Sequence, residues 1–257
     1  MDISQKIIFG NAHHAIDGKL LNLILLMTKW LLMHNEKKII VALDYHDIND
    51  VMRFIDNIDP SLCRMKIGKE LFTKYGPKIV FDIQKKGFDI FLDLKFHDIP
   101  TTVYKACLSA LSLDIWMLNI HLSGGLNMAL QASKAKQDSQ SSCILLGVTA
   151  LTSLSDDDCF SVYGCNRDDQ LKRLKVIGLE SGLDGFVCSP FDINILDDTN
   201  MIFVTPGIRI EKNFDDHHRV VSPKEAFELG SDYLVLGRSI TASNKPNETL
   251  RKLVTEL

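Results

Sequence analysis

Short apolar and β-branched runs alternate with helix-length segments along most of the chain, beginning at Lys38. This alternation is typical of β-α-β units, which build a parallel sheet because each helix returns the chain to the same edge. Eight such units close a barrel. We therefore predict an α/β fold, a single (β/α)8 TIM barrel, over residues 37–257. The predicted strands are 39–44, 63–67, 89–95, 115–120, 143–149, 185–188, 201–205 and 233–237.

The segments between these runs carry apolar residues at helical spacing, and several end near a glycine: Gly87, Gly182 and Gly230. A glycine after a helix favours the left-handed conformation that terminates it. The acidic run 156–158 is interpreted as the start of a further helix. The other predicted helices are 47–58, 70–86, 100–112, 124–136, 167–181 and 222–229.

Residues 1–36 do not share this alternation. Their apolar stretch, 20–33, is interrupted by polar residues and is too short to span a bilayer. A secretory signal is not expected, since Asp2 and Asp17 precede the stretch and no small-residue cleavage site follows it. Two interpretations remain, an extra amphipathic helix packed on the barrel or translated upstream sequence ahead of a start at Met33. We favour the second.

Composition narrows the class of protein. The chain has 257 residues, a formal net charge of −4 and a pI near 6.1, with lysines and arginines scattered, so a nucleic-acid partner is not expected. Its six cysteines form no CxxC pair and show no zinc-site spacing. We interpret them as reduced thiols and expect a cytoplasmic protein without a metal and without a membrane anchor.

Polar residues stand at or just after the ends of most predicted strands. In a parallel barrel the chemistry is built at the carboxyl ends of the strands, so these positions are candidates for function. They are Asp44, Lys66, Asp93, Lys95, His121, Thr152, Arg209 and Arg238. Of these, only His121 is interpreted as a packing residue. The two histidines at 13–14 are interpreted as part of a solvated tail.

The densest chemical signal is the run DLKFHDIP at 93–100. Side chains alternate along a strand, so Asp93 and Lys95 point to the same face. Buried ions lose solvation worth several kcal/mol each, and an isolated pair of this kind is usually a structural ion pair. Here Lys66 on the neighbouring strand and Asp98 further along would extend the pair to an alternating charge array. An array of this kind at a barrel rim favours catalysis.

Two glycine-containing loops follow the seventh and eighth predicted strands. They carry the sequences TPGIR at 205–209 and GRS at 237–239. Barrels frequently bind phosphate in these two loops, where glycine permits close backbone approach and arginine adds a bidentate clamp. One Gly-Arg pair alone is a weak signal, but two at this location predict a phosphate site.

With these residues in view, the chain from about Ile39 to its C-terminus resembles the orotidine 5'-phosphate decarboxylases. The motifs that carry the resemblance are VALD at 41–44, KIGK at 66–69, DLKFHDIP at 93–100, LTS at 151–153, TPGIR at 205–209 and GR at 237–238. In this order and spacing they are highly specific. The resemblance implies cofactor-independent loss of CO2 from a pyrimidine nucleotide.

The same resemblance implies roles for the charged residues. Lys95 would donate the proton, and Asp93 and Asp98 would complete a charge network with Lys66. Asp44 and Lys66 would hold the ribose hydroxyls.

For the rest of the substrate, the resemblance implies that Thr152 lies near the pyrimidine and that Arg209, Gly237 and Arg238 bind phosphate. It also implies a homodimer in which three residues of one subunit reach the partner's site. Those residues are Asp98, Ile99 and Thr102.

Two positions depart from the family's pattern. Thr101 stands where asparagine is common, a minor change in a loop. His217 stands where a phosphate-binding glutamine is expected. An imidazole N–H can also donate to phosphate, so His217 is retained as a binding residue whose contribution depends on pH near 6.5.

Two other functions remain open on sequence grounds. A related phosphosugar barrel can share an Asp-x-Lys-x-x-Asp array and would hold Mg²⁺ on acidic residues. A catalytically inactive nucleotide-binding barrel is the second alternative, and the intact set of Asp93, Lys95 and Asp98 argues against it. The sequence carries no cofactor fingerprint, metal-spaced His/Cys cluster or nucleophile elbow.

Overall fold

The computed structural model describes residues 37–196, 201–210 and 221–257. Eight parallel strands form a closed barrel in chain order, and β1 pairs with β8 through Ile40 and Val235. The strands are β1 Ile39–Ala42, β2 Arg64–Gly68, β3 Ile90–Phe96, β4 Met117–His121, β5 Ile144–Val148, β6 Gly185–Val187, β7 Ile202–Thr205 and β8 Tyr233–Leu236. The predicted (β/α)8 barrel is confirmed, and each predicted strand corresponds to one observed strand. Residues 1–36, and with them the two interpretations of that segment, lie outside the described residues.

Eleven α-helices lie in the described part of the chain. They are α1 Ile48–Ile55, α2 Lys69–Tyr75, α3 Lys78–Gln84, α4 Pro100–Leu111, α5 Leu126–Asp138, α6 Asp156–Tyr163, α7 Arg167–Glu180, α8 Ile193–Leu196, α9 Pro223–Glu228, α10 Arg238–Thr241 and α11 Pro246–Glu256. None of these helices has the length and apolar character needed to cross a membrane.

The predicted helix 70–86 is wrong as a single element, because the structure divides it into α2 and α3. Gly76 ends α2 with a positive φ of 62°, and Pro77 precedes the first residue of α3. Proline has no N–H to continue the hydrogen-bond ladder, and the left-handed glycine turns the chain. By contrast, the helix start predicted at 156–158 is confirmed, since Ser155 and Asp158 form a reciprocal capping box.

The apolar residues form two layers, as alternation along the strands requires. Ile40, Phe91 and Val235 belong to the cluster inside the barrel, whereas Ile39 and Val41 pack in the cluster between the strands and the surrounding helices. The outer layer is tight in places. A Cβ built on Gly178 in α7 would lie 2.3 Å from Cε1 of Phe186, so only glycine lets the helix approach β6 this closely.

The amino-terminal end of the barrel is filled by an aromatic and cationic plug. The Arg64 guanidinium lies 3.9 Å from the ring centre of Trp116 and 5.5 Å from that of Tyr233. Because side chains fill this end, the open end of the barrel is the rim where the carboxyl ends of the strands meet.

The last helix fastens the end of the chain to the region where the barrel closes. Leu250 and Leu253 of α11 are buried. The side chain of Asn247 accepts a hydrogen bond from the backbone N–H of Asp59 at 2.9 Å, and Arg251 pairs with the Asp59 carboxylate at 2.7 Å. Helix α11 therefore connects the C-terminus to the loop that leads into β2.

Candidate active site

Four charged side chains of alternating sign form a line across the carboxyl ends of β1, β2 and β3. Nζ of Lys66 lies 3.6 Å from Oδ1 of Asp44 and 3.2 Å from Oδ2 of Asp93. On the other side of Asp93, Nζ of Lys95 donates to Oδ1 at 2.5 Å. The structure thus brings together Asp44, Lys66, Asp93 and Lys95, four of the residues predicted from the sequence.

The centre of this line is withdrawn from solvent. The side chains of Lys66 and Asp93 are each 11% exposed, compared with 25% for Lys95 and 68% for Asp44. Burial of the Asp93 carboxyl acts to raise its pKa. The charges of Lys66 and Lys95 and the hydrogen bonds from Lys95 and Asn119 together outweigh this effect, so the pKa of Asp93 lies below its usual value. Asp93 is therefore a carboxylate at neutral pH.

The backbone at Lys95 adopts an uncommon conformation that aims its side chain. Lys95 has a φ of 51°, in the left-handed region that lysine rarely occupies, and the pairing of β3 with β4 shifts register between Leu92 and Phe96. A non-glycine residue in this region costs roughly 1–2 kcal/mol and persists where its surroundings impose it.

Asn119 on β4 provides that restraint. Its Oδ1 accepts a hydrogen bond from the backbone N–H of Lys95 at 2.8 Å, while its Nδ2 donates to Oδ1 of Asp93 at 2.7 Å. The residue is completely buried. Sequence analysis missed Asn119, although a lone polar residue within the apolar run of β4 was an available signal.

Asp98 lies apart from this line within its own chain. It is exposed, and its Oδ1 accepts from the backbone N–H of Ile99 at 2.6 Å. Ile99 itself is 64% exposed, and Thr102 is exposed in the first turn of α4. A charge array that includes Asp98 is therefore not formed by the described residues of a single chain.

Two adjoining cavities meet at Asp44. One is lined by the carboxyl ends of β1 to β3 and includes Lys66, Asp93 and Lys95. The other is lined by the loops after β7 and β8 and includes Gly207, Arg209, Gly237, Arg238 and Ser239. The structure thus places the predicted phosphate residues Arg209, Gly237 and Arg238 around one cavity, next to the charged line. His217 lies outside the described residues.

Gly237 lies next to Asp44, the residue that the two cavities share. A Cβ built on Gly237 would lie 3.7 Å from Oδ2 of Asp44. Gly207 has a positive φ of 81°, a backbone conformation that residues other than glycine rarely adopt. Backbone and charged groups therefore line both cavities, which share Asp44.

Thr152 lies at the tip of a turn after β5 and lines neither cavity. In this turn, which we call the 151–154 turn, the N–H of Leu154 donates to the carbonyl of Leu151 at 3.0 Å. Both central residues, Thr152 and Ser153, are exposed. The structure therefore does not bring Thr152 together with the other predicted site residues.

Two histidines stand beside Lys95. The ring centres of His97 and His121 are 5.6 Å apart. Burial, followed by the charges of His97, Lys95 and Lys69, lowers the pKa of His121 to about 4, against the opposing effect of Asp93. His121 is therefore a neutral imidazole at neutral pH. It packs against His97, as the sequence analysis expected of a packing residue, and it experiences the charges of Lys95 and Asp93.

The rim of this closed parallel barrel carries alternating lysine and carboxylate side chains with a buried centre, next to a cavity lined by arginine and glycine. These features define the chain as an α/β-barrel enzyme. Comparison with known proteins gives the family. Residues 37–253 match the profile of the orotidine 5'-phosphate decarboxylase / HUMPS family, and the chain belongs to that family.

Curated relatives and solved structures agree. The chain is 46% identical to an orotidine 5'-phosphate decarboxylase of Mannheimia succiniciproducens over 84% of this chain and 95% of the relative. It is also 46% identical to that of Haemophilus influenzae, over 84% of this chain and 96% of the relative. The crystal structure of orotidine 5'-phosphate decarboxylase from Lactobacillus acidophilus matches with a TM-score of 0.76 at 30% identity, over 86% of this chain and 98% of that one.

Proposed function

We propose that the chain decarboxylates orotidine 5'-phosphate to uridine 5'-phosphate and CO2, the final step of de novo pyrimidine nucleotide synthesis, without a cofactor. The observation that carries this proposal is the line of Asp44, Lys66, Asp93 and Lys95 beside the arginine cavity. Family membership supports the same activity.

The chemistry requires placed charge. When the bond from C6 to the carboxyl group breaks, CO2 leaves and the electron pair stays on C6, in the plane of the ring where it cannot delocalise. Preorganised electrostatic groups are then the main means of stabilisation. One such donor contributes about 3–4 kcal/mol, whereas enzymes lower barriers by roughly 8–23 kcal/mol, so Lys95 cannot act alone.

Lys95 is the group that stabilises the developing charge on C6 and then protonates it. The proton passes from Nζ to C6, and Nζ recovers a proton from water. Asp93 accepts a hydrogen bond from Nζ of Lys95 and orients it, while Asn119 holds the backbone of Lys95. The carboxylate of Asp93 also stands beside the departing CO2.

Binding of the ribose, base and phosphate of the nucleotide orients the reacting carbon at Lys95. Asp44 and Lys66 bind the ribose hydroxyls, Thr152 lies near the base, and Arg209, Gly237 and Arg238 bind phosphate with a contribution from His217. The shared position of Asp44 on both cavities supports this order of ribose and phosphate. Binding at the distant phosphate thereby helps to position the base at Lys95.

The active unit in this proposal is a homodimer. Asp98, Ile99 and Thr102 extend to the partner's site, where Asp98 adds the second carboxylate to its charged line. Their exposure supports this assignment, because an isoleucine that is 64% exposed beside an active site is suited to an interface. The six cysteines are free and buried, which fits action in the reducing cytoplasm.

A spectrophotometric decarboxylation assay with EDTA present tests the function, since EDTA-sensitive turnover would instead favour a Mg²⁺-dependent barrel. Lys95→Ala is expected to lose roughly a hundredfold to a thousandfold in turnover or more while the protein stays folded. Lys172→Ala, at an exposed lysine on α7, is the matched control and should keep wild-type activity. Substantial turnover by a folded Lys95→Ala protein would refute the role of Lys95.

A further inference from the structure

Arg167, the first residue of α7, connects two loops at the rim of the barrel. Its Nη1 donates to the carbonyl oxygens of Leu151 at 3.1 Å and Leu154 at 3.4 Å. Its Nη2 and Nε donate to the carboxylate of Asp192 at 2.6 and 3.4 Å. One guanidinium therefore binds both ends of the 151–154 turn and a carboxylate in the loop after β6.

Asp192 is itself fixed in place. Its Oδ2 accepts from the backbone N–H of Ser189 at 3.3 Å, and its own N–H donates to the carbonyl of Ser189 at 3.0 Å. The loop after β6 thus forms a rigid anchor. Because Arg167 binds both Asp192 and the 151–154 turn, it fixes the position of the turn relative to this loop.

The pair is almost removed from solvent, with side-chain exposures of 14% for Arg167 and 7% for Asp192. Desolvation of two charges offsets much of their attraction, and an apolar pair of similar volume is often equally stable. A buried ion pair is thus a poor stabiliser, but its fixed fork geometry holds acceptors in place. Here two of those acceptors are the carbonyls that flank Thr152 and Ser153.

We propose that Arg167 is a positioning residue that holds the 151–154 turn where Thr152 meets the pyrimidine of the bound nucleotide. This inference rests on the proposed function, because it concerns the same substrate. Arg167 acts on the base end of the substrate through the turn and does not contact Lys95. Its loss should therefore weaken ligands that contain a base more than ligands that lack one.

The test compares the binding of uridine 5'-phosphate and ribose 5-phosphate by calorimetry. Arg167→Met should weaken uridine 5'-phosphate by roughly tenfold and change ribose 5-phosphate by less than about twofold. Arg173→Met, at an exposed arginine on the same helix, is the matched control and should bind both ligands like the wild type. Equal weakening of both ligands by Arg167→Met would overturn the proposal.

Because Arg167→Met leaves Asp192 buried without its cation, the double variant Arg167→Met/Asp192→Leu is also measured. Removing both charges restores folding stability without restoring the donors to Leu151 and Leu154. Persistent base-selective weakening in this variant supports positioning, whereas recovery of wild-type affinity overturns it. Turnover of orotidine 5'-phosphate by the wild type is assayed in parallel, since its absence would refute the proposed function, and this inference with it.

Discussion

The side chain of Asn119 contacts both members of the candidate catalytic pair, accepting from the backbone N–H of Lys95 and donating to the carboxylate of Asp93. Its distances to them are 2.8 and 2.7 Å, and it is completely buried. One amide therefore maintains the left-handed backbone of Lys95 and the orientation of its partner.

Asn119→Ala should reduce kcat by about ten- to a hundredfold with little effect on KM. The substitution removes the hydrogen bond that holds Lys95 in position, while the residues proposed to bind the nucleotide are unchanged. The free energy of unfolding should fall by about 1–3 kcal/mol, since the Asp93 carboxylate loses a buried donor. Steady-state kinetics and urea unfolding measure the two effects.

Asn57→Ala is the control for this substitution. Asn57 is an exposed asparagine whose side chain donates to the carbonyl of Arg53, and its loss should leave kcat unchanged. A wild-type kcat in Asn119→Ala would contradict the positioning role.

His121 should make the stability of the protein depend on pH. In the unfolded chain its pKa is near 6.5, whereas in the folded protein it is about 4. Between these values the unfolded state binds a proton that the folded state does not, so the free energy of unfolding decreases as pH falls through this window. Below the folded-state pKa this contribution stops growing.

His121→Gln removes this contribution, so its stability should decline less than that of the wild type between the two pKa values. Urea unfolding at several pH values across the window measures the difference. His46→Gln is the control, because His46 is exposed and paired with Glu70. Parallel curves for the wild type and His121→Gln would show that the imidazole does not resist protonation.

Gly178→Ala should destabilise the barrel, because the new methyl group would lie 2.3 Å from Cε1 of the buried Phe186. Overpacking of this kind costs roughly 1–3 kcal/mol, which exceeds the gain of about 1 kcal/mol in helix propensity. The expected net loss is up to about 2 kcal/mol, measured by the midpoint of urea unfolding.

Phe186→Leu provides the matched background for that measurement. With the ring removed, the clash is gone and only the gain in helix propensity remains, so Gly178→Ala should stabilise the Phe186→Leu protein. The same loss in both backgrounds would mean that Phe186 is not the source of the strain.

The fold was predictable from the sequence because strand and helix periods alternate without interruption from β1 to β8. The break at Gly76 and Pro77 was missed because apolar spacing continues from α2 into α3 and masks the local turn chemistry. The helix start at 156–158 was found because it depends only on neighbours in sequence.

The site was predictable only in part, for a related reason. Asp93 and Lys95 lie two residues apart on one strand, so simple alternation places them together. Asn119 reaches them through the shifted register between β3 and β4, which hydrophobic patterning does not encode. Arg167 begins α7 whereas Asp192 lies in the loop after β6, and their contact depends on the completed barrel.

The pairing of β1 with β8 also affects how the chain folds while it is being translated. A ribosome releases β1 first and β8 near the end, so the edge of β1 emerges with backbone groups that have no partner on that side. Such an edge can pair with another nascent chain until its proper neighbour arrives. Helix α11, whose Asn247 and Arg251 hold Asp59, is synthesised later still. A premature stop codon before Asn247 would thus remove the contacts that α11 makes with Asp59, even though every strand and every candidate catalytic residue had been translated.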